Sequence, residues 1–138
     1  MITISRRETF NAAHRLFREE WDDAKNLEVF GKCSHPNYHG HNYVLEILVT
    51  GEIDPKTGFV MDLKDLKKIT QDHVIERFDH RNLNLDCKEF ENVIPTTENI
   101  AVVIWNIIRN HLSENLEIEV RVSETEKNKV YYSGPQRT

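Results

Sequence analysis

Apolar residues at even positions run from Ile2 and Ile4 through Phe10 and Ala12 to His14, with mostly polar neighbours between them. That is the period of two of a half-buried strand, and it puts His14 on the apolar face. The same alternation returns after His41 at Tyr43, Leu45, Ile47 and Val49. Asp54-Pro55-Lys56-Thr57-Gly58 then reads as a turn, and Phe59 to Met61 as the start of a return strand. From there the period lengthens. Leu63, Leu66, Thr70, Val74 and Phe78 recur at three or four residues behind Asp62 as a cap, which predicts a helix ending near Phe78. A second helix opens at Pro95-Thr96-Thr97-Glu98, with Thr96 or Thr97 as N-cap and Glu98 complementing the dipole. It buries Ile100, Val103, Ile104, Ile107 and Ile108 and ends at Ser113-Glu114-Asn115. Leu116, Ile118, Val120 and Val122 predict a third strand, and Val130, Tyr131 and Tyr132 a fourth. Residues 19–30 suit a short irregular or helical excursion, and residues 79–84 a loop. The order ββ, αα, ββ predicts an α+β layer: an antiparallel four-stranded sheet with two helices on one face. Pairing subunits edge to edge into a ring is one way to manage its open strand edges.

The length of 138 residues fits one domain, taken as residues 1–133 with a loose tail at 134–138. Eighteen Lys and Arg against 23 Asp and Glu give a net charge of −5, and no basic block stands out, which argues against a nucleic-acid partner. The longest apolar run, Ile100 to Trp105, is far short of the ~20 residues a membrane helix needs, so no membrane partner is expected. The N-terminus alternates and then meets charge, unlike a secretory signal, so a cytoplasmic location is expected. In that setting the two cysteines, Cys33 and Cys87, are expected as reduced thiols. Small-molecule chemistry fits best.

His39-Gly40-His41 enters the second strand, and side chains two apart on a strand share a face. His14 supplies a third imidazole if the first two strands are neighbours, as consecutive strands usually are. Three imidazoles with one open position is the arrangement of a catalytic zinc site. A His-x-His pair by itself is more often packed or surface histidine, so the weight comes from Cys33, six residues upstream. With Lys32 beside it and a dication nearby, its thiol is expected to have a lowered pKa and to serve as nucleophile, base or fourth ligand. Asp79-His80 follows the first helix as a candidate proton shuttle, although Asp79 by itself reads more simply as a turn cap. Glu124, ending the third strand, is either a ligand carboxylate or, more simply, a solvated strand end. Cys87 has no histidine close by in sequence and is given no role.

In order along the chain stand Phe10-Asn-Ala-Ala-His14-Arg-Leu16, Phe30-Gly-Lys-Cys33, His39-Gly-His-Asn-Tyr43, Gly51-Glu-Ile-Asp-Pro-Lys-Thr-Gly58, Leu63 to Lys68, Asp79-His-Arg-Asn-Leu83, Thr96-Thr-Glu-Asn99 and Glu124-Thr-Glu-Lys-Asn128. This series resembles the 6-pyruvoyltetrahydropterin synthase and 6-carboxytetrahydropterin synthase family over nearly the whole chain. The resemblance implies the tunnelling fold, with three subunits closing a barrel and two rings stacked into a homohexamer. It implies His14, His39 and His41 as zinc ligands and Cys33 as the catalytic thiolate base. It further implies Asp79 and His80 as a second relay pair, usually from a neighbouring subunit. Glu124 would anchor the pterin ring, with Thr97 and Glu98 lining the same pocket. The implied reaction takes 7,8-dihydroneopterin triphosphate to 6-pyruvoyltetrahydropterin and releases triphosphate. Five residues separate Cys33 from His39, the spacing of the pyruvoyl branch; the carboxy branch, which serves queuosine-type synthesis, typically has three. A non-catalytic zinc- and pterin-binding protein is a further alternative. Two departures stand out: Tyr38 where glycine is common, a bulk expected to reshape the pocket and admit the carboxy-forming reaction, and His35, an additional imidazole able to compete for metal or act as an extra acid.

Overall fold

In a computed structural model, which describes residues 1–136, the two alternating segments form long paired strands, β1 (Ile2–His14) and β2 (His39–Gly51). They run antiparallel in a register that sets Phe10 opposite Tyr43, Ala12 opposite His41 and His14 opposite His39. Between them, helix α1 (Asp23–Phe30), capped by Asp22, leads into a single 3₁₀ turn (Gly31–Ser34) that carries Cys33. The predicted return strand at Phe59–Met61 does not form. The Asp54 N–H donates to the Phe59 carbonyl to close the turn, and Val60 instead packs over Gly51.

Helix α2 (Leu63–Thr70), capped by Asp62, continues through a π turn (Gln71–Ile75) into a last helical turn, α3 (Glu76–Phe78). Leu66, Thr70, Val74 and Phe78 are its buried stripe, while Leu63, expected in that stripe, is exposed. The segment expected as a loop contains a two-residue strand, β3 (Arg81–Asn82), parallel to β1, then helix α4 (Leu83–Asp86). Helix α5 (Thr97–Arg109) starts at the Thr96 cap and ends earlier than the sequence suggested. Strands β4 (Glu117–Ser123) and β5 (Lys129–Tyr132) follow.

The sheet therefore has five strands, ordered β3-β1-β2-β4-β5, and not the four expected. The addition is β3, too short for any alternation to reveal. One sheet face, carrying Phe10, Ala12, Tyr43, Leu45, Ile47, Val49, Val120 and Val122, is buried together with Leu66, Val74, Phe78, Ile100, Ile104 and Ile108 from the helices. Burial of each large aliphatic side chain there stabilises the fold by about 1.5–3 kcal/mol. Gly134 sits at φ 95° against the Trp105 indole, so the segment called a tail begins in contact with the body; Arg137 and Thr138 lie outside the described residues. Among the described residues, no helix is long and apolar enough to cross a membrane.

Candidate metal centre and active site

At the end of β1 and the start of β2 the buried face turns from hydrocarbon to imidazole. His14, His39 and His41 continue the rows that carry Phe10, Ala12 and Tyr43, and the register brings His14 directly across from His39. The three ring centroids lie 4.6 to 5.2 Å apart. Glu124 joins them from the end of β4. One donor atom from each of the four residues lies within 4.8 Å of all the others, an arrangement able to hold a metal ion.

The hydrogen bonding suits a cluster that could hold a metal ion. His14 is fully buried, and its Nδ1 is 2.8 Å from the Pro95 carbonyl. A carbonyl only accepts, so Nδ1 carries the proton and Nε2 is left with a free lone pair. The Nε2 atom of His41 and both ring nitrogens of His39 are buried without a hydrogen-bond partner. Orphaned buried nitrogens are costly, and a cation in the cluster would satisfy one nitrogen on each of these two rings. Glu124 Oε1 lies 2.6 Å from His41 Nε2 and 3.5 Å from His14 Nε2, while Oε2 accepts a 2.7 Å hydrogen bond from the Thr97 hydroxyl. Imidazole and carboxylate donors suit a borderline divalent ion.

These contacts set the electrostatics. Burial and the neighbouring imidazoles hold His39 below its ordinary pKa, and burial does the same for His41. Both are therefore kept neutral, the form that binds a metal. Glu124 is pushed down to about 2, first by its contact with His14 and further by the Thr97 hydrogen bond and His41. Cys33 stands near enough to Glu124 to feel its charge, yet burial first and that carboxylate second push its thiol up. The expected lowering is thus absent from the protein's own groups, because Lys32 is exposed and does not offset the loss of solvent. Only a cation in the cluster would pull the thiol back down.

Asp79 and His80 pair with each other outside this cluster. Asp79 Oδ1 accepts the Asn11 N–H at 2.9 Å and its Oδ2 pairs with His80 Nδ1 at 2.9 Å. His80 has φ 61°, donates its N–H to the Asn11 carbonyl and leaves 81% of its side chain exposed. Both contacts are to the backbone of Asn11, which points in the plane of the sheet toward its β3 edge, and neither Asp79 nor His80 belongs to the imidazole cluster of this chain.

Against known proteins, residues 3–135 match the family model described as 6-pyruvoyl tetrahydropterin synthase. The chain belongs to the 6-pyruvoyl tetrahydropterin synthase family. It is an enzyme of that lyase type. It is 47% identical over 131 residues to the 6-pyruvoyl tetrahydrobiopterin synthase of Homo sapiens, covering 95% of this chain and 90% of that one. The Caenorhabditis elegans 6-pyruvoyl tetrahydropterin synthase structure superposes with a TM-score of 0.90 at 41% identity, covering 97% and 96% of the two chains. A dihydroneopterin monophosphate aldolase of Pyrococcus furiosus is 41% identical over 113 residues, 82% of this chain and 80% of its own.

Within this synthase fold several sequence readings change. Glu124 is no solvated strand end, since both of its oxygens are engaged at the cluster. Thr97 is buried against Glu124, whereas Glu98, one residue on, is exposed. His35 is exposed, its Nδ1 accepts the Asn37 N–H, and it is not part of the cluster. Tyr38 has φ 65°, the left-handed region in which glycine is unstrained, which explains why a glycine suits this position. Cys87 is a core residue whose thiol donates to the Arg77 carbonyl. Both cysteines are free.

Sequence reasoning missed two supports of His14. The Tyr43 hydroxyl lies 3.3 and 3.4 Å from its two ring nitrogens, and burial pushes that phenol far above its ordinary pKa, so it stays neutral. The signal existed, because the period of two that groups His39 with His41 also includes Tyr43. The Pro95 carbonyl had no signal at all, being backbone brought in from a segment 81 residues away.

Proposed function

We propose that this enzyme converts 7,8-dihydroneopterin triphosphate to 6-pyruvoyltetrahydropterin and triphosphate at a Zn2+ centre held by His14, His39 and His41. The observation that carries the proposal is the meeting of one buried and two half-buried imidazoles, the latter two with orphaned nitrogens, with a carboxylate and a nearby thiol at one end of the sheet. Zn2+ bound there would act as a Lewis acid on the hydroxylated side chain and acidify its neighbouring protons.

The protein's own groups supply the rest. Cys33, as thiolate, takes a proton from the side chain, and His80, oriented by Asp79, returns one elsewhere. Glu124, held by Thr97, accepts two parallel hydrogen bonds from the ring amide and amino groups, which fixes the ring's orientation. Glu98, in the same first turn of α5, is the second proposed contact with the pterin. The hydrogens lost from the side chain reappear on the reduced ring, so no external redox partner is required. His80 is exposed and anchored away from the cluster of its own chain, which supports a site completed by a neighbouring subunit and hence an oligomeric barrel, proposed as a hexamer.

The five-residue spacing between Cys33 and His39 favours the pyruvoyl product over the carboxy product. Mass spectrometry of the products from 7,8-dihydroneopterin triphosphate tests this reading. The pyruvoyl compound with stoichiometric triphosphate is expected, and a carboxy compound or a shortened side chain would overturn it.

A further inference from the structure

Glu124 occupies two chemical settings at once. One oxygen lies among the imidazole nitrogens, 2.6 Å from His41 Nε2 without the alignment of a hydrogen bond, while the other is held by Thr97 at 2.7 Å. Antiparallel pairing of β4 with β2 ends at Val44 opposite Ser123, so Glu124 is the next residue and comes up on the side of Tyr43, in the row that carries the histidines. The carboxylate is thus delivered to the cluster by strand register and clamped by a helix N-terminal side chain. Only 26% of the side chain is exposed, and a carboxylate shielded to that degree needs a defined partner for each oxygen.

We propose that Glu124 is a carboxylate that changes partners: Oε1 completes the coordination of the divalent ion while the pocket is empty, and leaves it to pair with the pterin ring when substrate enters. Thr97 is the pivot, keeping one oxygen fixed while the other moves. The ion, when bound, would then be open to the substrate's side-chain oxygens and would supply Lewis-acid chemistry only with substrate in the pocket. In the empty pocket the carboxylate excludes competing small anions and water. No bond other than coordination and hydrogen bonds is made or broken in the exchange.

The inference rests on the pterin-synthase reading, and the test separates the two. Metal-free protein is loaded with Zn2+ for affinity by chelator competition and with Co2+ for its visible spectrum, in the unchanged chain and in Glu124→Gln, Glu124→Asp and His39→Ala. A lost ligand predicts that Glu124→Gln and Glu124→Asp each weaken Zn2+ binding by at least about tenfold, with an altered Co2+ spectrum. It also predicts that dihydroneopterin, added to the unchanged Co2+ protein, shifts the spectrum as the carboxylate leaves. Circular dichroism confirms folding of each variant, and the dihydroneopterin titration needs no variant. If Glu124→Gln binds Zn2+ within twofold of the unchanged chain but no longer binds pterin, Glu124 serves the pterin alone and the proposal is overturned while the enzyme reading stands. If Glu124→Asp keeps the affinity that Glu124→Gln loses, charge rather than coordination is responsible, and the proposal again fails. If His39→Ala also leaves Zn2+ affinity unchanged, the metal centre itself has been misplaced and the functional reading falls with it.

Discussion

The Cys33 thiol is pulled in opposite directions. Burial and the Glu124 charge favour the protonated form, and a divalent ion in the adjacent cluster would favour the thiolate. In the proposed mechanism the thiol would serve as a base only once the ion is bound. Cys33→Ala is therefore expected to reduce turnover by at least about a hundredfold while leaving metal content unchanged, as measured by steady-state triphosphate release and elemental analysis. Loss of the metal in that variant would instead make Cys33 a ligand. At this scale the histidines were legible because strand alternation is strict and each lay on an apolar face. Glu124 stayed open between the two readings on its own residues, and only the family resemblance singled it out, because a carboxylate at a strand end looks the same whether it meets water or a cluster. The difference lies in Thr97, 27 residues earlier in the chain.

Among the elements, α2 illustrates how a sequence spacing forces a local irregularity. Its buried residues Leu66, Thr70, Val74 and Phe78 are four apart, and at 3.6 residues per turn each step overshoots by about 40°. The π turn at Gln71–Ile75, with its wider winding, brings Val74 and Phe78 back toward the sheet. Phe78 then ends the helix against Phe10, and the chain leaves directly into Asp79, His80 and β3. The helices were readable from period and caps, but β3 was not: two residues carry no pattern, and its pairing with β1 follows from where α3 delivers the chain. The caps and the core should respond differently to truncation. Thr96→Ala, which removes the cap on the Asn99 N–H, is expected to cost about 1 kcal/mol. Ile104→Ala, in the sealed core, is expected to cost about 2–5 kcal/mol. Urea unfolding of the two variants measures both, and equal losses would contradict the assigned roles.

On the scale of the whole molecule, the imidazole cluster that could hold a metal ion does not include Asp79 or His80, the proposed relay pair. The Asp79–His80 pair is fixed to the Asn11 backbone at the edge of β1 and leaves His80 exposed, as a group offered to another copy would be. Cys33→Ala and His80→Ala chains, each inactive alone, should regain activity when co-expressed, with about a quarter of sites intact under random mixing in a symmetric ring. Mixtures no more active than their components would place the relay within one chain. The sequence disclosed the layer order and the cluster of histidines, whereas the anchoring of Asp79 and His80 on the Asn11 backbone, in the chain that leads into β3, left no mark in the sequence.

The central claim is that the imidazole cluster holds one divalent ion without which the enzyme does no chemistry. Elemental analysis of the purified enzyme, paired with triphosphate release before chelation, after chelation and after adding back Zn2+, tests it most directly. One ion per chain, activity lost with it and regained with it, is the predicted result. Full turnover from protein shown to contain no stoichiometric metal would contradict the account.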